Sequence, residues 1–193
     1  VEIHPEEGRP AVELVFCKLH AGGKFNKTES GNAYRFSGGL HGVGVSVTNA
    51  LSIRLEVEIK RGGGVHHIAF GAGFVTEPLS RIGDCGQRNT GTTVRIQPDP
   101  KYFDSPKVNL AQLEHLLRSK AVLMPNVTVE LDIEGQEKKV WCYQNGMADY
   151  LNEMMVGTPV APIFVGEKHV DSANGFAVGE GATWALAWFE EGG

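Results

Sequence analysis

Cysteine is scarce and unpaired in this chain: Cys17, Cys85 and Cys142 are far apart, odd in number and include no Cys-x-x-Cys pair. That excludes a disulfide framework and a cysteine zinc site, and it points to a reducing, cytoplasmic compartment. A basic cluster is also missing. Eighteen Lys and Arg stand against 23 Asp and Glu, for a formal charge of −5. Gripping a phosphodiester backbone takes clustered Lys and Arg, so this stretch is not expected to be a DNA-gripping surface. No apolar run approaches the roughly 20 residues of a membrane helix, and no membrane contact is expected. The first residues, Val-Glu-Ile-His-Pro-Glu-Glu, have neither an initiator Met nor a signal-peptide pattern and read as the interior of a longer protein. Lacking too is the P-loop signature Gly-x-x-x-x-Gly-Lys-Ser/Thr.

What is abundant is glycine, 25 of 193 residues, with a hydrophobic fraction of 41% that suffices for a core. Glycine concentrates where it matters most. Residues 36–49 read Phe-Ser-Gly-Gly-Leu-His-Gly-Val-Gly-Val-Ser-Val-Thr-Asn, with four glycines between Gly38 and Gly44. Glycine lets the backbone turn tightly and approach a ligand closely. The helix-compatible run 43–51 follows at once. A glycine turn feeding a helix N-terminus presents unpaired N–H groups and the positive end of the helix dipole, an arrangement that binds phosphate. The expectation is a nucleotide site, with residues 38–44 around the phosphates.

The surrounding pattern supplies a scaffold. Residues 10–19 carry apolar side chains at Ala11, Val12, Leu14, Val15, Phe16 and Leu19, one helix face with Pro10 in the first turn, ended by Gly22 or Gly23 as a left-handed cap. Residues 26–35 are polar and aperiodic, a loop. Leu55, Val57 and Ile59 alternate with Glu56, Glu58 and Lys60 in a half-buried strand, which Gly62-Gly-Gly64 turns into a second strand over 65–70. A further strand spans 92–97. Asn109 caps a helix over 110–123 that Pro125 stops. Residues 127–133 and 138–143 form a hairpin around Glu134-Gly135, and Asn145 caps a helix reaching Met155. Residues 158–162, Thr-Pro-Val-Ala-Pro, read as a linker and domain boundary. Strands are expected again over 163–170 and 182–189, in a stretch too short to bury its own core. Strands that come in hairpins predict an α+β sandwich with an antiparallel-rich sheet, not a Rossmann fold. His66 and His67 do not suggest a metal pair, because neighbours on a strand point to opposite faces. Met154 and Met155 read as gap-fillers.

Three strings in order carry a resemblance: His20-Ala-Gly-Gly-Lys-Phe25, Gly38-Gly-Leu-His-Gly-Val-Gly44 and Thr90-Gly-Thr-Thr93. With them the chain resembles, from Val1 to Gly193, the ATPase subunit of bacterial type IIA topoisomerases, in the GHKL superfamily. Phe103-Asp-Ser-Pro106, Lys120-Ala-Val-Leu123 and Trp141-Cys-Tyr-Gln144 look closer to the topoisomerase IV branch than to the gyrase branch. The resemblance implies a GHKL (Bergerat) ATPase sandwich, a mixed, antiparallel-rich sheet with helices on one face, over residues 1–157. It implies the first strands of a ribosomal-protein-like transducer domain over 158–193.

For the site, the resemblance implies that Gly39, Leu40, His41, Gly42, Val43, Gly44 and Val45 give backbone N–H groups to the triphosphate of ATP, His41 mainly through its own backbone. Lys24 would reach the phosphates as a cation, in keeping with charge compensation. Residues 26–37 would form a lid with Tyr34 near its phosphate end. Thr92 would lie under the adenine, with Val15 and Phe16 walling its pocket. The family's catalytic Glu, its Mg²⁺-binding Asn and its adenine-reading Asp match nothing in this sequence and are expected upstream of Val1, while a γ-phosphate-sensing Lys would follow Gly193. Glu6 and Glu7 sit in the wrong place to substitute. The chain alone is therefore expected to be inactive. In the intact protein the resemblance implies ATP, Mg²⁺, self-dimerisation on ATP binding, duplex DNA, and the A subunit of topoisomerase IV in an A2B2 holoenzyme. Alternatives are a gyrase B subunit that serves negative supercoiling, a nucleotide-gated clamp of the chaperone or mismatch-repair type, or a non-catalytic ligand-binding module.

Overall fold

Two glycines at the end of the alternating run set the first hairpin. Gly62 and Gly63 have φ of +59° and +78°, the left-handed pair that a two-residue type I′ turn requires. They join β1 (Ser52–Arg61) to β2 (Gly64–Gly71), with Arg61 opposite Gly64. The computed structural model of the protein describes residues 1–21, 42–105, 107–169 and 181–190. It divides into two units, Val1–Pro106 and Lys107–Gly193.

In the first unit a second tight turn, Ala72–Gly73, leads into β3 (Phe74–Asp84), and β4 (Gly91–Pro98) returns alongside β1. The sheet order is β3-β2-β1-β4, and every pairing is antiparallel. Direct cross-strand partners share a face. Leu55, Val57, Ile68 and Phe70 therefore project together, all 0% exposed. Helix α1 (Ala11–Cys17) lays Val12 and Phe16 on them, and the Phe16 and Phe70 rings stack at 5.3 Å. Each such side chain contributes about 1.5–3 kcal/mol by leaving water. Helix α2 (Gly44–Ala50) packs beside α1 over β1 and β2. Among the described residues β4 pairs with β1 alone, and all eight of its residues are exposed.

The outer face of this sheet is ionic. Arg54 bonds Glu56 and Glu77, each at 2.7 Å, and Arg95 reaches Glu56 at 3.1 Å. The chain thus ties β4, β1 and β3 through charges that alternate in sign.

Two expectations change here. Helix α1 stops at Cys17, with extended Lys18 as its cap, and the left-handed residue that follows is His20 at φ +59°; Gly22 and Gly23 lie outside the described residues. Strand β3 has no counterpart in the sequence pattern, because Pro78 and Gly83 break it. It is an edge strand whose register skips from His67↔Ser80 to Ala69↔Glu77. Pro78 falls in that skip, where a strand needs no N–H from it.

In the second unit α3 (Leu110–Leu123) begins as expected, with Asn109 Oδ1 accepting from Gln112 N at 3.2 Å. The hairpin is shorter than its apolar pattern, pairing only β5 (Val129–Leu131) with β6 (Lys139–Trp141). Helix α4 (Met147–Met154) is not capped by an Asn145 acceptor. Instead Asp149 accepts both the Asn145 backbone N–H, at 2.8 Å, and its side-chain amide, at 3.0 Å. Gly146 precedes the helix at φ +54°, and a methyl there would meet Val122 O at 3.1 Å and Pro125 at 3.3 Å. This close approach fixes α4 against the end of α3, around buried Ala121, Val122 and Tyr143. Finally β7 (Phe164–His169) and β8 (Gly181–Leu186) form an antiparallel pair.

Candidate functional site

The described part of the glycine turn starts at Gly42, whose φ is +60°. Val43 occupies the cap position of α2 without a side-chain acceptor, and the first bond inside the helix runs from Val47 N to Val43 O at 2.9 Å. The amides of Gly44, Val45 and Ser46 therefore precede the intrahelical ladder. A methyl added to Gly44 would find nothing within 4 Å, so packing does not demand glycine there. What glycine leaves is bare, exposed backbone, with Val45 beside it at 43% exposure. Such a terminus holds anionic oxygen through N–H groups and the helix dipole. Gly39, Leu40, His41, Lys24 and Tyr34 lie outside the described residues.

The two α1 positions part ways, as successive residues on a helix do. Phe16 is 8% exposed and belongs to the core through its stack on Phe70. Val15 is 39% exposed and lines a cavity of about 530 Å³ with Leu14, His4, Glu7 and Lys18. The Lys18 ammonium pairs with Glu7 and holds that carboxyl below its ordinary value.

Thr92 lies directly across from Ile59 on β4, as Val94 does from Val57 and Ile96 from Leu55. It therefore belongs to the core face of the sheet. Yet Val94 and Ile96 are each 48% exposed and Thr92 is exposed as well. The helices cover β1 and β2, and among the described residues nothing packs over the β4 end of that face. An apolar floor with one hydroxyl suits a flat, apolar ring with polar edges.

No group of three His, Cys, Asp or Glu among the described residues could hold a metal ion. His66 and His67 do not pair; His67 Nδ1 lies 3.9 Å from Glu77 instead. Cys17, Cys85 and Cys142 are free thiols, and burial pushes the Cys17 thiol upward. The described site thus offers backbone amides, an apolar floor and a hydroxyl. These can orient and neutralise an anion.

Sequence reasoning passes over Asn49, which is fully buried in α2. Its signal is faint, because Ser46 and Thr48 make the same short helix partly polar and Asn49 does not stand out among them. Also passed over is the cluster in which Arg118 Nε donates to the Tyr143 hydroxyl at 3.0 Å while that hydroxyl donates to Glu153 at 2.6 Å. Those partners are 25 and 10 residues apart, beyond any local pattern.

No family model matches the chain. The B subunit of DNA topoisomerase 4 from Salmonella typhimurium is 50% identical to it over 196 residues, covering 100% of this chain and 29% of that protein. The chain therefore spans less than a third of the length of this curated relative. Among solved structures, the ATP-binding domain of topoisomerase IV of Francisella tularensis, in complex with a small-molecule inhibitor, is 39% identical with a TM-score of 0.65, covering 86% of this chain and 45% of that one. The ATPase domain of Thermus thermophilus gyrase B, in complex with an aminocoumarin, is 30% identical with a TM-score of 0.71, covering 89% and 42%. The α+β GHKL sandwich expected from the sequence, antiparallel-rich with helices on one face, is the fold found.

Proposed function

Because the chain belongs to the ATPase subunits of bacterial type IIA topoisomerases, nearer to the topoisomerase IV B subunit than to the gyrase B subunit, we propose that it forms the phosphate side of their ATP site. The observation that carries this reading is the glycine turn running into the uncapped start of α2. Residues 39–45 would receive the triphosphate through backbone N–H groups, with Lys24 compensating its charge. The adenine would rest on the open end of the sheet, over Thr92 and against Val15, with Phe16 supporting that wall from the core. Tyr34 would close over the phosphate end.

In this reading residues 1–157 are the ATPase domain and 158–193 begin the transducer. In the intact protein ATP binding would dimerise two such subunits as a gate, and hydrolysis would reset it. The A subunit of topoisomerase IV, as partner in an A2B2 holoenzyme, would cleave and rejoin duplex DNA, relaxing supercoils and unlinking chromosomes in the cytoplasm. Mg²⁺ would neutralise phosphate charge in that protein. No cluster of three His, Cys, Asp or Glu among the described residues suits the ion.

Binding and turnover separate in a direct test. Titration of the purified 193-residue chain with ATP, and with an aminocoumarin, is expected to give saturable binding. Incubation with ATP and Mg²⁺ is expected to give no turnover above background, since in this reading the family's general base and metal ligand match no residue of this sequence. Mg²⁺-dependent hydrolysis by the chain would overturn the second expectation. Absence of binding by both ligands to the folded chain would overturn the first.

A further inference from the structure

Helix α2 buries unusual residues for an element held by packing. Val45 and Val47 are each 43% exposed, while Ser46 and Asn49 are the residues it buries. Asn49 is 0% exposed, and its Nδ2 donates to the backbone oxygen of Phe16 at 3.0 Å while lying 3.9 Å from Cys17 Sγ. Its Oδ1 has no partner among the described residues. A buried amide oxygen nearly always finds a donor, and leaving one unpaired is destabilising.

That penalty accompanies a particular connection. Ser46 Oγ donates to Val43 O and Thr48 Oγ1 to Gly44 O, both within the same short segment. Among bonds between described residues, Asn49 carries the one side-chain connection that joins α2 to α1. Its acceptor lies in the last turn of α1, where carbonyls lack helical partners. Asn49 stands five residues beyond Gly44, about 7.5 Å along the axis. A short helix free to pivot would carry its N-terminal amides with it.

We propose that Asn49 is a positioning residue that ties the helix presenting the phosphate amides to the helix bearing Val15 and Phe16. Base and triphosphate are then received at a fixed separation. This inference rests on the nucleotide-site reading above.

Asn49→Leu removes the bond and the orphan oxygen together at similar volume. Ser52→Ala is the matched control: its hydroxyl, on a 3% exposed residue, donates to Thr48 O at 2.7 Å and ties α2 to no other helix. With folding verified by circular dichroism, Asn49→Leu should weaken ATP binding about tenfold, within the range for directly coupled residues. Its melting midpoint should stay near that of the unmodified chain, and Ser52→Ala should keep full affinity. Unchanged affinity in Asn49→Leu, or equal weakening in Ser52→Ala, overturns the positioning role.

The unmodified chain gives a second measurement that needs no variant. The Asn49 side-chain amide protons should exchange slowly by NMR and more slowly with saturating ATP. Fast exchange, or exchange indifferent to ATP, also overturns the proposal. If the unmodified chain binds no ATP, the site reading fails and takes this role with it; binding with an indifferent Asn49 removes the positioning role alone.

Discussion

Phe70 sits at 0% exposure in the middle of β2, between the Leu55 strand and the Phe16 ring. Truncating it would remove a full aromatic side chain from a site with little room to collapse, because β1 and β3 are hydrogen-bonded to its strand on both sides. Phe70→Ala is expected to destabilise the chain by about 3–5 kcal/mol, read as a fall in the urea midpoint. A loss below about 1 kcal/mol would mean that Phe70 is not central to the core. At this scale the sequence is legible where hydrophobicity alternates: the pattern alone places Leu55, Val57 and Ile59 inward. It is opaque at Asn49 and Tyr143, whose roles depend on partners distant in the chain. Thr92 shows a third case, since its face follows from register with Ile59 and register is a property of two strands.

Turns separate legible elements from illegible ones. Gly62 and Gly63 announce the first hairpin because only glycine adopts two successive positive φ values readily. The next hairpin turns at Ala72 and Gly73, with φ of +49° and +91°, and an alanine gives no such notice. Together with Pro78, this hides β3. An alanine held left-handed costs roughly 1 kcal/mol, so Ala72→Gly or Ala72→Asn is expected to stabilise the chain by up to about that amount, read as a rise in the urea midpoint. No change, or a fall, would show that the turn tolerates alanine without strain. Helix boundaries are legible where a cap exists, as at Asn109. The pattern misleads at Asn145, where the acid four residues on takes the amide that was expected to accept.

Charge acts over the whole molecule. Glu56 is held below its ordinary 4.5 by hydrogen bonds from Arg54 and Arg95, and Glu153 by the Tyr143 hydroxyl and Arg118. Asp99 is held below 3.8 by Lys101, and Asp149 by Asn145. Depressed native values mean that the unfolded chain binds protons first as pH falls. Their contribution is complete above about pH 4.5 and is lost as pH drops through the lower native values. The melting midpoint should therefore be flat near neutrality and decline below about pH 4.5, with added salt flattening the decline because these groups remain in partial contact with solvent. A midpoint unchanged down to about pH 3 would count against these pairs. The two edges of the four-stranded sheet have a consequence of their own. At β3, Pro78 and an irregular register spoil the template for a newcomer, whereas β4 presents an exposed run whose N–H groups are interrupted only by the terminal Pro98. At this four-stranded sheet, among the described residues, an incoming strand thus has one regular berth instead of two. At this sheet, strand addition can join two copies edge to edge but leaves no second regular edge from which a longer stack of the same sheet could grow.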